Sequence, residues 1–237
     1  MKILNVIPVP GLPVAGEVSA FMSKALNPGN ELVTALTTFG PASIEGEYDE
    51  ALAAPAVLDQ CSKNAADCAG AFVNCFGDPG VRGARELLDI PVVGGFEPAM
   101  LLAMGLADKI SIVTVLKNVV PMIRGNIIKA GIQERVASVR VVNIPVLELG
   151  DFEKLIGAIY EESKKAIEQD GAEAIVLGCT GMAGAAEAIR DKLWGDGYDV
   201  PVVDPTLAAV KLLEVYTQLG LRPSKLTYMP IRQKERI

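Results

Sequence analysis

Two stretches of the chain share one pattern, an apolar run followed by a cysteine with a glycine two positions on. Residues 71–86 read AFVNCFGDPGVRGARE and residues 174–190 read AIVLGCTGMAGAAEAIR. In both, a short run rich in apolar residues gives way to a helical pattern, which is typical of a buried strand, a turn and a helix. The pattern predicts that Cys75 and Cys179 lie at the carboxyl ends of equivalent strands.

The cysteine segments belong to a longer internal repeat. Residues 1–9 (MKILNVIPV) resemble residues 108–116 (DKISIVTVL), and residues 90–100 (IPVVGGFEPAM) resemble residues 200–210 (VPVVDPTLAAV). Landmarks in the same order at nearly constant spacing indicate two copies of one unit. We predict an α/β fold of two similar Rossmann-like (flavodoxin-like) lobes with parallel sheets. A pseudo-twofold axis would relate the lobes, and the active site would lie in the cleft between them.

Short apolar runs supply the strands of these lobes. They are KILNVI, ELVTAL, GAFVNCF, PVVGG, KISIVTV, SVRVV, AEAIVLGC and PVVDP. Their continuous Val, Ile and Leu content predicts strands buried on both faces. The repeat places residues 1–97 together with residues 206–237 in the first lobe, and residues 98–205 in the second.

Composition and charge argue against several classes of partner. The chain of 237 residues is 50% hydrophobic and carries a formal net charge of -7, which describes a globular protein rather than a disordered one. An acidic balance disfavours binding to nucleic acid or to an anionic membrane surface, and no apolar run is long enough to span a bilayer. Because no secretory signal is visible, we expect a cytoplasmic protein that binds a small molecule.

The sequence also disfavours a nucleotide site and a metal site. Gly11 and Gly16 follow the first strand five residues apart, so the Gly-x-Gly-x-x-Gly turn of a dinucleotide site is missing. The chain has no histidine, and its four cysteines match no zinc pattern and form no Cys-x-x-Cys pair. Cys61 and Cys68 are predicted to share one face of a helix as small buried hydrophobic residues.

Without histidine, acid and base chemistry falls to other side chains, and the repeated cysteines are the leading candidates. A thiol between a strand and a helix N-terminus lies in a field that stabilises the thiolate, so we expect a lowered pKa. Two opposed thiols on the order of 7 Å apart would bracket one carbon, whereas a disulfide needs sulfurs about 2.05 Å apart. A thiolate would then remove a proton from one face and a thiol would return one to the other. Either cysteine alone would be interpreted most simply as an inert buried residue.

Three segments carry a family resemblance, namely residues 39–55 (FGPASIEGEYDEALAAP), residues 74–86 (NCFGDPGVRGARE) and residues 176–183 (VLGCTGMA). They resemble the aspartate/glutamate/hydantoin racemase superfamily, and most closely its hydantoin and allantoin racemase branch. The resemblance implies a cofactor-independent racemase that uses neither pyridoxal phosphate nor metal. It also implies that Cys75 and Cys179 are the two acid-base residues.

Residues beside these landmarks are candidates for substrate binding. Ile44 lies in the matched GPASIEG segment and is a candidate for an apolar wall. Thr114 ends a predicted strand in the same way as Ile7, so it is either a substrate contact or an ordinary helix cap. Glycine two residues after each cysteine would let backbone N–H groups approach an anion or a developing enolate. The remaining candidates adjoin the same landmarks: Pro8, Phe76, Gly77, Val115, Thr180 and Gly181.

The first loop departs from the pattern of the family. Members of the branch usually have Asn-Pro-Asn-Thr after the first strand, whereas this chain has Pro8-Val9-Pro10-Gly11. The substrate contact there is therefore altered. A proline-rich loop also resembles that of the related arylmalonate decarboxylases, but those lack the first cysteine.

We predict a racemase or epimerase, in a homo-oligomer, that acts at a carbon next to a carbonyl. Its substrate would be a hydantoin, allantoin, an amino acid or a related small molecule. A decarboxylase on the same scaffold and a non-catalytic binding protein for small molecules are the alternatives. Release of carbon dioxide would identify the first alternative, and binding without proton exchange the second.

Overall fold

Strands and helices alternate along the chain in the computed structural model, which describes residues 1–11, 15–232 and 234. The strands are β1 (Lys2–Ile7), β2 (Glu31–Leu36), β3 (Gly70–Val73), β4 (Val92–Val93), β5 (Ile110–Thr114), β6 (Val136–Val141), β7 (Ala174–Leu177) and β8 (Val202–Val203). The helices are α1 (Ala15–Ala25), α2 (Glu47–Asn64), α3 (Val81–Leu87), α4 (Phe96–Met104), α5 (Val120–Ala130), α6 (Phe152–Asp170), α7 (Ala185–Gly195) and α8 (Pro205–Gln218). Each predicted apolar run overlaps one of these strands.

The strands form two four-stranded parallel sheets with the same internal order. The first sheet runs β2-β1-β3-β4 and the second runs β6-β5-β7-β8. Strands β1–β4 define what we call the first half of the molecule, and strands β5–β8 define the second half. The predicted α/β class with parallel sheets is confirmed. The pseudo-twofold axis stays a prediction.

Burial distinguishes the central strands from two of the edge strands. Strands β1, β3, β5 and β7 are buried at nearly every position, as expected when helices cover both faces of a parallel sheet. The edge strands β2 and β6 are mostly half-buried. The prediction of burial on both faces is therefore right for the central strands and wrong for β2 and β6, the first strand in the order of each sheet.

The helix that follows each sheet packs on the other sheet. Helix α4 comes after β4 and contacts β7 and β8, while α8 comes after β8 and contacts β3 and β4. Phe96 of α4 shares a buried cluster with Ile112 and Val176 of the second half. Leu213 of α8 is buried with Phe72 of the first half. Since α4 and α8 also contact each other, the exchanged helices hold the two sheets together.

Cys61 and Cys68 are both buried, but only Cys61 lies in a helix. Helix α2 ends at Asn64, and Cys68 follows in a turn, so the prediction of a shared helix face is wrong. The chain turns at Ala65, whose N–H donates to the carbonyl of Cys61 and whose carbonyl accepts from the N–H of Cys68. Both cysteines belong to one hydrophobic cluster of the first half.

Candidate active site

Cys75 and Cys179 occupy equivalent positions at the carboxyl ends of the central strands β3 and β7. Each lies two residues beyond the end of its strand. The N–H of Gly77 donates to Sγ of Cys75 at 3.4 Å, and the N–H of Gly181 donates to Sγ of Cys179 at 3.3 Å. The predicted placement of the cysteines at matched strand ends is therefore observed. The two glycine amides therefore face the thiols.

The two cysteine loops contact each other through Thr180. Its Oγ1 donates to the carbonyl of Asn74 at 3.2 Å. A Cβ added to Gly95 would lie 3.1 Å from the carbonyl oxygen of Cys75 and 3.1 Å from Cγ2 of Thr180. The loops that carry the two cysteines, together with residue 95, therefore form one closely packed junction.

Two further hydrogen bonds join the halves beside the cysteines. Nδ2 of Asn126, on α5, donates to the carbonyl of Gly77 at 3.0 Å. The N–H of Val146 donates to Oε1 of Glu45 at 2.8 Å. Sequence analysis missed Asn126 and Glu45, because a single polar residue on a helix or loop belongs to no motif and its partner lies far away in the chain.

Both thiols resist ionisation. Burial raises the pKa of Cys179 to about 11, outweighing the N–H of Gly181, and the charge of Glu45 adds to the increase. Burial also raises the pKa of Cys75, and negative charge on Cys179 is among the further causes. A charge on one thiol therefore opposes a charge on the other, which favours one thiolate and one thiol over two thiolates.

The expected lowering of the thiol pKa values is wrong, because the predicted helix N-termini do not reach the thiols. Helix α3 begins at Val81 and α7 at Ala185, in each case six residues beyond the cysteine. Cys179 precedes only a three-residue 3-10 helix. The field of a helix terminus falls off within about one turn, so burial decides the direction of the shift.

The apolar candidates for substrate binding lie together. Ile44, Phe76 and Val115 belong to one buried cluster, and Cys75 and Cys179 pack against it as partly buried members. Pro8 is buried directly after β1, Gly77 is buried in the Cys75 loop, and Gly181 is exposed. The structure therefore brings both cysteines and the predicted apolar residues to one region.

Thr114 has its hydroxyl hydrogen bonded inside the protein. It is the last residue of β5, as Ile7 is the last residue of β1, and it is fully buried. Its hydroxyl donates to the carbonyl of Gly178 at 2.9 Å, so the hydroxyl hydrogen is already used inside the protein. A contact of residue 114 with a ligand would therefore use the hydroxyl oxygen as an acceptor or the backbone.

Two cavities among the described residues include neither thiol in their lining. The larger, of about 340 Å³, includes Arg85, Glu97 and Tyr228 in its lining, and Arg85 is already bonded to the other two side chains. The other is lined by Asp78, Asn126 and neighbours on α2 to α5. The described residues hold no group of three potential metal ligands. None of their helices has the length and apolar composition to cross a membrane.

Comparison with known proteins agrees with this geometry. Residues 17–213 match the family model described as Asp/Glu/Hydantoin racemase. A hydantoin racemase from Pseudomonas sp. strain NS671 is 38% identical over 238 residues, which cover 99% of this chain and 94% of that protein. A second hydantoin racemase, from Paenarthrobacter aurescens, is 34% identical and covers 95% of this chain and 94% of its own length.

Solved structures extend the likeness to the fold. An allantoin racemase from Pseudomonas fluorescens superposes with a TM-score of 0.94 at 37% identity, over 100% of both chains. An arylmalonate decarboxylase variant, at 16% identity and a TM-score of 0.66 over 93% of this chain and 94% of its own, shares the fold alone. The chain belongs to the Asp/Glu/hydantoin racemase family and is an isomerase of the racemase type.

Proposed function

We propose that this enzyme is a cofactor-independent racemase or epimerase in which Cys75 and Cys179 remove and return a proton at a carbon next to a carbonyl. The matched pair of thiols is the observation that carries the proposal. Both thiols accept an N–H from the glycine two residues on, and both pack against one apolar cluster. They are close enough that charge on Cys179 raises the pKa of Cys75.

The proposed reaction needs one thiolate and one thiol at a time. The thiolate takes the proton from one face of the carbon, and the C–H electron pair moves into the carbonyl to give an enolate. The opposite thiol then gives its proton to the other face and becomes the thiolate. Each turnover inverts the carbon and exchanges the protonation states of the two cysteines, so no external acid, base or oxidant is consumed.

We assign Cys179 as the thiol of the pair that ionises first. Glu45 is the acidic side chain that opposes its ionisation. Cys75 has both Asp78 and Glu50 nearby, in addition to Cys179, and each of these charges makes a second thiolate less favourable. The first proton to leave the pair should therefore come from Cys179.

The charges around the thiols favour a substrate without a carboxylate. The principal side-chain charges that act on the thiols from the described residues are acidic, namely Glu45, Glu50 and Asp78, with no Lys or Arg among them. These acidic side chains would repel the carboxylate of a free amino acid, and none of the charges is a cation that could hold it. A hydantoin or allantoin presents amide N–H and C=O groups instead, and the relatives are a hydantoin racemase and an allantoin racemase by name. We therefore propose a 5-substituted hydantoin, allantoin or a similar ring.

The remaining parts of the proposal concern the surroundings of the thiols. The substrate contacts are assigned to the residues beside the cysteines and at the ends of β1 and β5: Pro8, Ile44, Phe76, Gly77, Thr114, Val115, Thr180 and Gly181. Residues 1–97 with 206–237 form one lobe and residues 98–205 the other, although residues 12–14, 233 and 235–237 lie outside the described residues. The exchanged packing of α4 and α8 supports this division.

We further propose a homo-oligomer in the cytoplasm. Helices α4 and α8, which contact each other, leave Leu101, Leu102 and Leu106 exposed at the end of one helix and Leu219 exposed just beyond the other. Large exposed apolar side chains in one area are typical of association surfaces. Light scattering of the purified chain would measure its mass, and a monomer at all concentrations would contradict this part of the proposal.

A panel of optically pure 5-substituted hydantoins, allantoin and free amino acids in deuterated water tests the function. We expect loss of optical rotation together with deuterium at the stereocentre for ring substrates, and neither for amino acids. Release of carbon dioxide from a disubstituted malonate would favour the decarboxylase alternative. Binding of a ring compound with no exchange would favour a binding protein.

A further inference from the structure

Asp78 joins the Cys75 loop to the start of helix α4. Its Oδ1 accepts from the N–H of Phe96 at 3.1 Å, and the carbonyl of Cys75 accepts from the N–H of Gly95 at 3.0 Å. Asp78 has a φ of 61°, in the left-handed region that residues with a Cβ seldom adopt. This backbone conformation places the carboxylate against the first residue of α4.

Asp204 makes the equivalent connection in the second half, but it lies next to the helix and not in the cysteine loop. It precedes α8, and its Oδ2 accepts from the N–H of Gly184, in the loop that follows Cys179, at 2.8 Å. Its Oδ1 accepts from the N–H groups of Thr206 and Leu207, at 2.8 Å and 3.3 Å. Asp204 is 4% exposed. Each cysteine loop is therefore joined to helix α4 or α8 by one carboxylate, which is partly buried at Asp78 and buried at Asp204.

The internal repeat relates these two connections. Residues 94–96 correspond to residues 204–206, so Gly94 is the counterpart of Asp204. A Cβ added to Gly94 would lie 2.0 Å from Oδ1 of Asp78. The carboxylate of Asp78 thus fills the space that a side chain on Gly94 would need. Each half therefore has one carboxylate between its cysteine loop and helix α4 or α8. In the first half the cysteine loop supplies it as Asp78, and in the second half the residue before α8 supplies it as Asp204.

The first-half junction also fixes the amide that faces the Cys75 thiol. The N–H of Gly77 donates to Sγ of Cys75, and the carbonyl of Gly77 accepts from Asn126. The next residue, Asp78, is held by the N–H of Phe96. The N–H of Asp78 also donates to the carbonyl of Cys75 at 3.4 Å. Contacts on both sides of Gly77 therefore hold the turn that presents its N–H to the thiol, and the carboxylate of Asp78 makes one of them.

We propose that Asp78 is a positioning residue for proton transfer by Cys75, and that Asp204 has the same role for Cys179. This inference rests on the proposed function of the two thiols. Each carboxylate acts by holding a cysteine loop against a helix, at a distance from the reacting carbon. A carboxylate moved to position 94 should therefore replace one at position 78.

Two substitutions at position 78 separate the carboxylate from the backbone conformation. Asp78→Gly removes the acceptor but tolerates a positive φ, and Asp78→Asn keeps an oxygen acceptor at a residue that also tolerates it. The measurement is deuterium exchange into each enantiomer of a 5-substituted hydantoin. Asp78→Gly should lower exchange on the Cys75 face about tenfold or more and leave the Cys179 face near the wild-type rate. Asp78→Asn should stay within about threefold of wild type on both faces.

The relocated carboxylate gives a stricter test. The double variant Asp78→Gly with Gly94→Asp should recover most of the exchange lost in Asp78→Gly, because the new carboxylate would take the place that Asp204 has in the second half, accepting from the N–H of Phe96 and from the Cys75 loop at Gly80, the counterpart of Gly184. Gly94→Asp alone should be more impaired than the double variant, since two carboxylates would compete for one space. Thermal unfolding followed by circular dichroism checks that each variant is folded. If Asp78→Gly fails to fold, Asp78→Asn and the double variant still decide the question.

Several results would overturn the inference. Equal losses on both faces in Asp78→Gly would assign Asp78 a general structural role. A double variant no better than Asp78→Gly, or an Asp78→Asn variant as impaired as Asp78→Gly, would contradict the role of the acceptor. Normal racemisation by Cys75→Ser and Cys179→Ser would instead contradict the proposed function, whatever exchange rates the position 78 variants show.

Discussion

Cys75 and Cys179 have the same relation to the backbone, since each accepts the N–H of the glycine two residues on, at 3.4 Å and 3.3 Å. Their electrostatic surroundings differ. Glu45 acts on Cys179, whereas Asp78, Glu50 and the other thiol all act on Cys75. The two thiols therefore have the same geometry but unequal nearby charge, as expected of a pair in which one thiol is ionised and the other holds its proton.

Racemisation should become faster as the pH rises. Burial raises the pKa of Cys179 to about 11, so the thiolate is a minor form near neutrality and its fraction grows with pH. We expect kcat/KM to increase about tenfold per unit between roughly pH 6 and pH 8. Initial rates at constant ionic strength measure this, and a flat profile over that range would mean that the base is already ionised.

The packing of β5 against β7 predicts a large effect of one added methyl group. A Cβ on Gly178 would lie 2.7 Å from Cβ of Thr114 and 2.8 Å from Cγ2 of Ile112, both on stiff β-branched side chains. Gly178→Ala should lower the free energy of unfolding by about 1–3 kcal/mol in urea denaturation.

Gly157→Ala is the matched control for that substitution. Gly157 lies in α6, and no atom within 4 Å would meet an added Cβ. The change should be neutral or stabilising by up to about 1 kcal/mol. Equal stability of the two alanine variants would contradict the tight packing at residue 178.

Loss of the Thr180 hydroxyl should disturb both cysteine loops. Thr180→Val leaves the carbonyl of Asn74 without its donor at 3.2 Å, and we expect a loss of about 1 kcal/mol in stability. Racemisation should fall as well, because the contact joins the loops of the two cysteines. Thr180→Ser keeps the hydroxyl and should behave like the wild type; a serine variant as impaired as the valine variant would exclude the hydrogen bond as the cause.

Asp78 should make the protein less stable as the pH rises. Burial raises the pKa of Asp78 from 3.8 to about 7, with Glu97 adding to the increase and Arg85 opposing it. The folded chain therefore binds this proton more tightly than the unfolded chain, and stability is lost as pH rises from about 4 through about 7.

Urea denaturation at pH 5 and pH 8 tests this dependence on pH. The wild type should lose more stability between the two conditions than Asp78→Asn, whose amide does not titrate. An identical difference in the wild type and the variant would assign the change in stability to other groups.

Local patterns allowed most of the fold to be predicted. Apolar runs and glycine turns depend on neighbouring residues, so all the strands, the two parallel sheets and the positions of Cys75 and Cys179 could be anticipated. The sequence analysis overestimated the burial of β2 and β6, because an apolar run does not reveal whether a strand lies at a sheet edge. It also extended the helix of Cys61 as far as Cys68.

The electrostatics of the site and its long-range contacts could not be predicted in this way. Asn126 and Gly77 are far apart in sequence, and the bond between them depends on how the halves pack. The direction of the thiol pKa values depends on where the next helix begins and on how much protein surrounds each sulfur. The spacing of residues in the sequence determines neither where that helix begins nor how deeply the sulfur is buried.

Exchange at each face of the substrate by the two cysteine variants is the decisive test of whether the thiols act on opposite faces. Cys75→Ser and Cys179→Ser should each lose racemisation, because a serine hydroxyl is far too weak an acid to replace a thiol. In deuterated water each variant should still exchange the hydrogen of one enantiomer, and the preferred enantiomer should be opposite in the two. Cys68→Ser, which changes a cysteine outside the site, should racemise as the wild type does. Racemisation at the wild-type rate by Cys75→Ser or Cys179→Ser, or exchange of the same enantiomer by both, would contradict the proposed roles of the two thiols.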